Sequence, residues 1–180
     1  LGCTSAAKAG EFAVRLGIEY VRTIGCELAE KIEANRPYRQ MEDVVRANGL
    51  TTPQVEALAT AGAFDCFGLH RRQALWAAGA VSQSRPGRLQ GVVTGEHAPA
   101  LPGMTEVEEA VADVWATGIS PSHHLTEFAR AGLAERGVLT AADLLTAEPR
   151  SKVLVAGIVT HRQRPATAQG TTFLNLEDET

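Results

Sequence analysis

Two stretches of the chain repeat one pattern of apolar and small residues at an offset of 26 residues. They run from Tyr20 to Ile32 and from Arg46 to Leu58. A repeat this short predicts two copies of one small unit, in which two helices are joined by a tight turn that contains glycine. The offset superposes these pairs: Ile24 on Leu50, Val21 on Ala47, Ala29 on Val55, and Ile32 on Leu58.

Each copy has one glycine beside its central apolar residue. Gly25 follows Ile24, Gly49 precedes Leu50, and threonine stands at the remaining position of each turn. A helix-hairpin-helix turn of this kind presents backbone N–H groups at a helix N-terminus, and such groups bind phosphate without reading base sequence. An ordinary αα-hairpin, in which glycine ends a helix and the apolar residues form a core, explains the same residues. The pattern alone leaves both interpretations open.

The charge distribution excludes a strong autonomous DNA-binding protein of the basic type. The formal net charge is −4, basic and acidic residues balance over residues 1–80, and the acidic excess lies in residues 81–180. A basic stripe is the usual electrostatic signature of such proteins. We therefore expect phosphate contact to be local, made by a few backbone N–H groups and arginines.

The cysteines and the hydropathy indicate a reducing compartment and no membrane. Cys3, Cys26 and Cys66 are widely and unequally spaced, which favours neither a disulfide framework nor a zinc site. The sequence has no apolar run long enough to span a bilayer. A cytoplasmic location is therefore expected. Because the chain does not begin with Met and stops within a strand pattern, we also expect it to be a piece of a longer polypeptide.

The predicted fold class is α+β, mostly α. Alternating apolar residues over 13–21 indicate a strand. Thr52 is a candidate N-cap with Pro53 in the first turn, and Thr105 with Glu108 forms a capping box. An alternating stretch from Lys152, a turn over 164–170 and a returning strand over 172–176 predict a β-hairpin. Helices are predicted near 26–34, 41–47, 52–61, 71–80, 105–117, 124–136 and 141–146.

Several blocks, taken in this order, resemble the C-family bacterial replicative polymerases, the DNA polymerase III α-subunit family, and most closely its error-prone, damage-tolerant branch. The blocks that carry the resemblance are Val21-Arg22-Thr23-Ile24-Gly25, Leu58-Ala59-Thr60-Ala61-Gly62-Ala63-Phe64-Asp65, Arg71-Arg72-Gln73-Ala74-Leu75-Trp76 and Phe173-Leu174-Asn175-Leu176-Glu177-Asp178-Glu179-Thr180. The resemblance implies a C-terminal fragment of a DNA-directed DNA polymerase. Such a parent acts in replication, damage-induced mutagenesis and translesion repair synthesis.

The resemblance also implies a domain organisation. Residues 1–80 would be the end of the fingers region and a tandem helix-hairpin-helix module, 81–104 a linker, 105–150 a helical connector, and 151–180 the start of an incomplete OB-fold. The catalytic palm carboxylates and their Mg²⁺ would lie upstream in the parent, so this chain is predicted to hold no cofactor and to perform no chemistry alone.

The predicted partners are the duplex backbone, contacted by the hairpins, and single-stranded template, contacted by the OB-fold. The predicted DNA-binding residues are Arg22, Thr23, Ile24, Gly25, Asn48, Gly49, Leu50, Thr51, Arg71, Arg72, His161, Arg162, Arg164 and Phe173. Neither catalytic nor metal-binding residues are predicted. Adjacent His123 and His124 are poorly spaced for one metal on a helix, and the acidic run 177–179 is interpreted as a solvated strand end.

Two other interpretations stay open at this stage. The acidic segment 105–148 has an apolar stripe at Val107, Val111, Val114 and Trp115, which is typical of a protein-interaction module. Mutagenesis accessory proteins and the sliding clamp would be its partners by the same resemblance. Alternatively, the parent is a replicative α-subunit rather than an error-prone polymerase.

Overall fold

A computed structural model describes residues 16–84 and 98–180 of the chain. The chain divides into two compact units, Leu1–Ile119 and Ser120–Thr180, and each is described by itself below. The sequence analysis placed a boundary in a linker over 81–104, of which residues 85–97 lie outside the described part. In the structure the division falls later, because the helix that follows this linker packs within the first unit.

The first unit is built from helices. It contains a short 3-10 helix at Ile18–Tyr20, α1 at Gly25–Ala34, α2 at Met41–Asn48, α3 at Thr52–Thr60, a second 3-10 helix at Asp65–Phe67, α4 at Arg71–Val81 and α5 at Glu106–Thr117. The predicted helices of this region are confirmed. The cap of α3 differs by one residue: Thr51 is the N-cap, and its backbone N–H donates to Oε1 of Gln54 at 2.9 Å.

The predicted strand over 13–21 does not form in its described part. Residues Ile18–Tyr20 adopt a 3-10 helix, in which the N–H of Val21 donates to the carbonyl of Ile18 at 3.0 Å. A strand needs a partner for its backbone, and both described sheets lie in the second unit. Val21 is instead buried in the helical core, and Ile18 packs against that core. Residues 13–15 lie outside the described part.

One hydrophobic core holds the first unit together. Phe64 is completely buried at its centre, and Ile32 and Leu58, which the 26-residue offset pairs, are each 1% exposed. The central residues of the two hairpins, Ile24 and Leu50, are each 4% exposed and belong to the same core. Full burial of side chains of this size stabilises each by roughly 1.5–3 kcal/mol relative to exposure.

Helix α5 confirms the capping prediction and joins the first unit. The backbone N–H of Thr105 donates to Oε2 of Glu108 at 2.8 Å, and the N–H of Glu108 donates to Oγ1 of Thr105 at 3.3 Å. Gly118 ends the helix with φ of +80°, a left-handed conformation that glycine adopts without strain. The buried side of α5 consists of small residues, Ala110, Ala112 and Ala116.

The second unit combines short helices with two two-stranded sheets. Its elements are a 3-10 helix at Glu127–Ala129, α6 at Arg130–Glu135, β1 at Val138–Leu139, α7 at Ala141–Leu144, β2 at Leu154–Val155, β3 at Ile158–Gln163, a 3-10 turn at Ala166–Ala168 and β4 at Phe173–Glu177. The predicted hairpin is confirmed from Ile158 onward, where β3 pairs antiparallel with β4, whereas Leu154–Val155 of the predicted first strand pairs with β1 instead. The parallel pair of β1 and β2 was not predicted. The fold class, mostly α within α+β, is confirmed.

The acidic end of β4 is bound to neighbouring residues. The interpretation of residues 177–179 as a solvated strand end is therefore wrong for Asp178 and Glu179. Arg130 donates from Nε and Nη2 to Glu179, and Asp178 accepts the N–H of Ala141 at 2.7 Å, at the start of α7. The hydrogen bond from Arg130 is the main cause that lowers the pKa of Glu179 to about 2. Residues 178–179 therefore fasten β4 to the short helices of this unit.

Across residues 16–84 and 98–180, no helix has the length and hydropathy needed to cross a membrane. The same residues contain no group of three or more His, Cys, Asp or Glu side chains placed to hold a metal ion.

Candidate nucleic-acid interface

The first hairpin, residues 21–25, reverses the chain with two residues in the left-handed region. Thr23 has φ of +70° and Gly25 has φ of +64°, while the side chain of Ile24 between them is buried. A β-branched residue rarely adopts positive φ, so Thr23 stands in a conformation that suits glycine. This is the turn position at which the second hairpin has glycine. The first hairpin thus has the backbone conformation typical of glycine at this position, although its residue there is threonine.

The second hairpin, residues 47–51, has the same geometry at the equivalent position. Gly49 has φ of +66° and ends α2, and its N–H donates to the carbonyl of Val45 at 2.8 Å. Leu50 is the buried central residue, and Thr51 begins α3 from an extended conformation with φ of −81°. The two predicted units are therefore real structural repeats, each with an apolar plug between a left-handed residue and a helix start.

The start of α3 is suited to an anion. Thr51, Thr52 and Pro53 are exposed, and the first turn of α3 contains no acidic residue. The capping box occupies the N–H groups of Thr51 and Gln54. An anion at this end would therefore be attracted mainly by the positive end of the helix dipole. Pro53, which has no N–H, was predicted at this turn but not as a part of the interface.

The start of α1 is less favourable for an anion. Gly25 and Cys26 are exposed there, but Glu27 adds a negative charge in the first turn. A carboxylate at this position already interacts with the helix dipole and repels a second anion. The two hairpins therefore share the left-handed residue before the plug, and they differ in the backbone conformation after it, at Gly25 and Thr51, and in their electrostatic surroundings.

Arg22, predicted as a DNA contact, is held by the end of α5. Its Nε donates to the carbonyl of Trp115 at 3.2 Å, and its guanidinium carbon lies 4.8 Å from the centre of the Trp115 ring. The backbone N–H of Arg22 also donates to the carbonyl of Ala116 at 2.7 Å. Arg22 therefore caps α5 and makes a cation–π contact with it.

Arg71 and Arg72, predicted to meet phosphate, have protein partners in the structure. Arg71 forms an ion pair with Asp113 at 2.7 Å and donates to the carbonyl of Glu109 at 3.2 Å. Arg72 forms an ion pair with Glu108 at 2.5 Å. Two positive charges at the start of α4 are unfavourable next to the positive end of its dipole, and the carboxylates of α5 neutralise them. These carboxylates were not predicted as partners because they lie about forty residues further along the chain.

The side chain of Asn48 has a structural role that differs from the predicted one. It is 3% exposed. Its Nδ2 donates to the carbonyl of Val44 and to Oη of Tyr38, both at 2.8 Å, and its Oδ1 accepts from Asn35 at 3.0 Å. A buried amide with these partners fixes the end of α2. Asn48 therefore positions the second hairpin and does not present its side chain to a ligand.

In the second unit, the predicted residues lie on the exposed β3–β4 hairpin. His161 is paired with Asn175 and Gln163 with Phe173 in the ladder, so these four side chains share one face. Arg162 and Leu174 form the next pair and lie on the opposite face. Arg164 follows β3 in the turn. Phe173 is 56% exposed, which is a large exposed fraction for an aromatic ring and suits stacking on a base.

The comparison with known families matches residues 2–74 to a model described as a helix-hairpin-helix motif. Over 171 residues the chain is 58% identical to the error-prone DNA polymerase of Mycobacterium tuberculosis (strain ATCC 25618 / H37Rv), covering 93% of this chain and 16% of that protein. It is 45% identical over 174 residues to the error-prone DNA polymerase of Corynebacterium glutamicum, covering 97% of this chain and 16% of that protein.

The chain thus spans about one sixth of the length of the relatives it matches. The matched motif covers both hairpins described above. The resemblance to error-prone DNA polymerases that was identified in the sequence is therefore confirmed, for a segment that contains a helix-hairpin-helix motif.

Proposed function

We propose that this chain is the C-terminal, DNA-contacting portion of an error-prone DNA polymerase that acts in replication, damage-induced mutagenesis and translesion repair synthesis. The two hairpins contact the duplex backbone, and the β3–β4 hairpin belongs to an OB-fold that contacts single-stranded template. Polymerisation and the Mg²⁺ ions it requires belong to palm carboxylates elsewhere in the parent. The observation that carries the proposal is the repeated hairpin, with a left-handed residue before a buried plug and an exposed helix start after it.

The mode of binding follows from the charge. The net charge of the chain is −4, so long-range attraction to DNA is weak. Contacts at the start of α3 use the partial positive charge of the helix dipole instead, and they read no base sequence. We expect weak, sequence-independent binding whose salt dependence corresponds to only a few phosphates.

The duplex contact is tested at Pro53, an exposed residue in the first turn of α3. Pro53→Glu adds a negative charge where a phosphate would bind. Pro53→Gln is the control, because glutamine has the shape of glutamate without its charge. We expect the glutamate variant to bind a short labelled duplex about fivefold more weakly than the glutamine variant, by the helix-dipole contribution of an ion at this position. Fluorescence anisotropy measures the affinity, and circular dichroism shows that both variants fold.

The helix itself favours an acidic residue at its start, so a loss of binding by Pro53→Glu cannot come from a weaker α3. Equal affinity of the two variants, with wild-type binding intact, would remove α3 as the duplex contact.

The single-strand contact is tested at Phe173, with Leu174 as a matched control. Both side chains are 56% exposed, and they lie on opposite faces of the β3–β4 hairpin. We expect Phe173→Ala to weaken binding of a single-stranded oligonucleotide about tenfold, since stacking of one base contributes roughly 1–3 kcal/mol. Leu174→Ala should leave that affinity unchanged. If Leu174→Ala weakens binding more than Phe173→Ala, the single strand contacts the opposite face of the hairpin.

A second function, as a protein-interaction module, is favoured by one observation. The outward side of α5 is apolar: Val107, Val111 and Trp115 are 45%, 51% and 47% exposed. Exposed apolar residues in a row are typical of protein interfaces. Capture of the sliding clamp or a mutagenesis accessory protein at high salt and without DNA, lost in Val111→Glu, would support this alternative.

A further inference from the structure

One helix engages every arginine of the first unit that was predicted to contact DNA. Arg72 pairs with Glu108 near the start of α5, Arg71 pairs with Asp113 in its middle, and Arg22 binds the carbonyls of its last turn. These three arginines come from two separate parts of the first unit. Within the described residues, Glu108 is the partner that the structure gives to the Arg72 side chain.

The attachment of α5 to the rest of the first unit combines ion pairs and hydrogen bonds with small apolar contacts. Its buried residues are alanines, which contribute little apolar area, and Val114 is half-buried, whereas its other large apolar side chains, at positions 107, 111 and 115, are exposed. A helix packed by its larger apolar residues would resist salt and competing anions. The Arg72–Glu108 pair is partly exposed, and such pairs are weak and screened by salt, whereas the Arg71–Asp113 pair is more buried. Another anion can therefore replace the contacts of α5 most readily at Arg72.

A phosphate group is the anion best suited to this exchange. An arginine guanidinium donates two parallel hydrogen bonds to phosphate as readily as to carboxylate. DNA presents many phosphates at once, while α5 offers one carboxylate to each of Arg71 and Arg72. Both ligands would use the same guanidinium atoms, so they exclude each other.

We propose that α5 is a releasable acidic cover, which occupies Arg22, Arg71 and Arg72 until DNA phosphate displaces it. The proposal rests on the proposed DNA-binding function and adds an autoinhibitory contact to it. Release of α5 does not free all three arginines equally. Asp65 lies against Arg71 from the adjoining 3-10 helix, so Arg72 and Arg22 are the ones that gain most freedom.

The test uses two double variants of the 180-residue chain. Glu108→Gln with Asp113→Asn removes the carboxylates that pair with arginine. Glu106→Gln with Glu109→Gln removes two negative charges from the same helix, where neither carboxylate forms an ion pair within the described residues, and is therefore the matched control. Glutamine at position 108 can still accept the N–H of Thr105, so the cap of α5 is retained.

We expect the first double variant to bind a short labelled duplex about fivefold more tightly than the control, since the exposed Glu108 carboxylate and the more buried Asp113 carboxylate no longer compete for the two arginines. Adding Arg72→Gln to it should remove most of that gain, because the freed arginine is then absent. In the wild-type chain, hydrogen exchange of the α5 amides should accelerate when the duplex is added, as the helix is released.

The outcomes distinguish a failure of the proposed α5 cover from a failure of the proposed DNA-binding function. If the wild-type chain binds DNA and Pro53→Glu weakens it, but the two double variants bind equally and α5 exchange is unchanged by DNA, then α5 is a fixed part of the fold and the cover is overturned. If no variant binds DNA, the proposed function fails as well. A double variant that unfolds is detected by circular dichroism. Hydrogen exchange of the wild-type chain then decides alone.

Discussion

The two hairpins of the first unit share one left-handed residue and one buried plug, and they differ in the residues around them. Thr23 and Gly49, at equivalent positions, have φ of +70° and +66°, and the residues that follow them, Ile24 and Leu50, are buried to the same extent. The repeat therefore preserves an apolar plug and one backbone angle. These are the features that a tight reversal between two packed helices requires.

The residues around this shared centre have diverged. Position 22 holds an exposed arginine bound to α5, whereas the equivalent position 48 holds a buried asparagine bound to its own neighbours. The first turn of α1 contains Glu27, and that of α3 contains no acid. The repeat thus conserves the plug and one backbone angle of the turn. The residues around the plug, which differ between the two copies, determine how strongly each turn binds an anion.

The largest expected effect concerns stability at the equivalent positions 48 and 22. Asn48→Ala should lower the free energy of unfolding by about 3 kcal/mol, because it leaves the buried partners of the amide without hydrogen bonds. Arg22→Ala removes exposed contacts and should cost about 1 kcal/mol or less. Urea denaturation of the two variants measures both values. Equal losses would show that the buried amide is no more important than its exposed counterpart.

A smaller effect, of opposite sign in the two hairpins, is expected at positions 49 and 23. Gly49→Ala forces a side chain into the left-handed region and should destabilise the chain by about 1 kcal/mol. Thr23→Gly relieves that strain in the first hairpin, and after the added flexibility of the unfolded chain it should stabilise by about 0.5 kcal/mol. Nothing lies within 4 Å of a Cβ added at Gly49, so the loss reports backbone conformation alone. Thermal unfolding of both variants decides the signs.

Local features of this fold were readable from sequence. The capping pair of Thr105 and Glu108 lies three residues apart, and Gly118 follows at the helix end, so α5 was bounded correctly from adjacent residues. The β3–β4 hairpin was likewise predicted from its turn and its alternation. The strand predicted over 13–21 was wrong in its described part, because alternation shows only that a segment could pair and not whether a partner strand exists.

Ion pairs between residues that are distant in the sequence could not be predicted. Arg72 and Glu108 are 36 residues apart, and nothing near Arg72 signals a carboxylate on a later helix. The same limit explains the domain boundary: α5 was grouped with residues 105–150 by sequence continuity, whereas its alanines and carboxylates pack within the first unit. The backbone turn of the candidate interface was therefore predictable, and the availability of its arginines was not.

The smallest expected effect compares the helix starts of the two hairpins. Cys26→Glu against Cys26→Gln repeats at α1 the charge test proposed for Pro53 at α3, since Cys26 is also exposed in a first turn. Glu27 already places a negative charge there, so a phosphate contact at α1 is weak and an added charge should change duplex affinity by about twofold or less. Anisotropy with the same duplex gives the comparison. A larger loss at Cys26 than at Pro53 would make the first hairpin the principal contact and would show that the negative charge of Glu27 does not prevent phosphate from binding at α1.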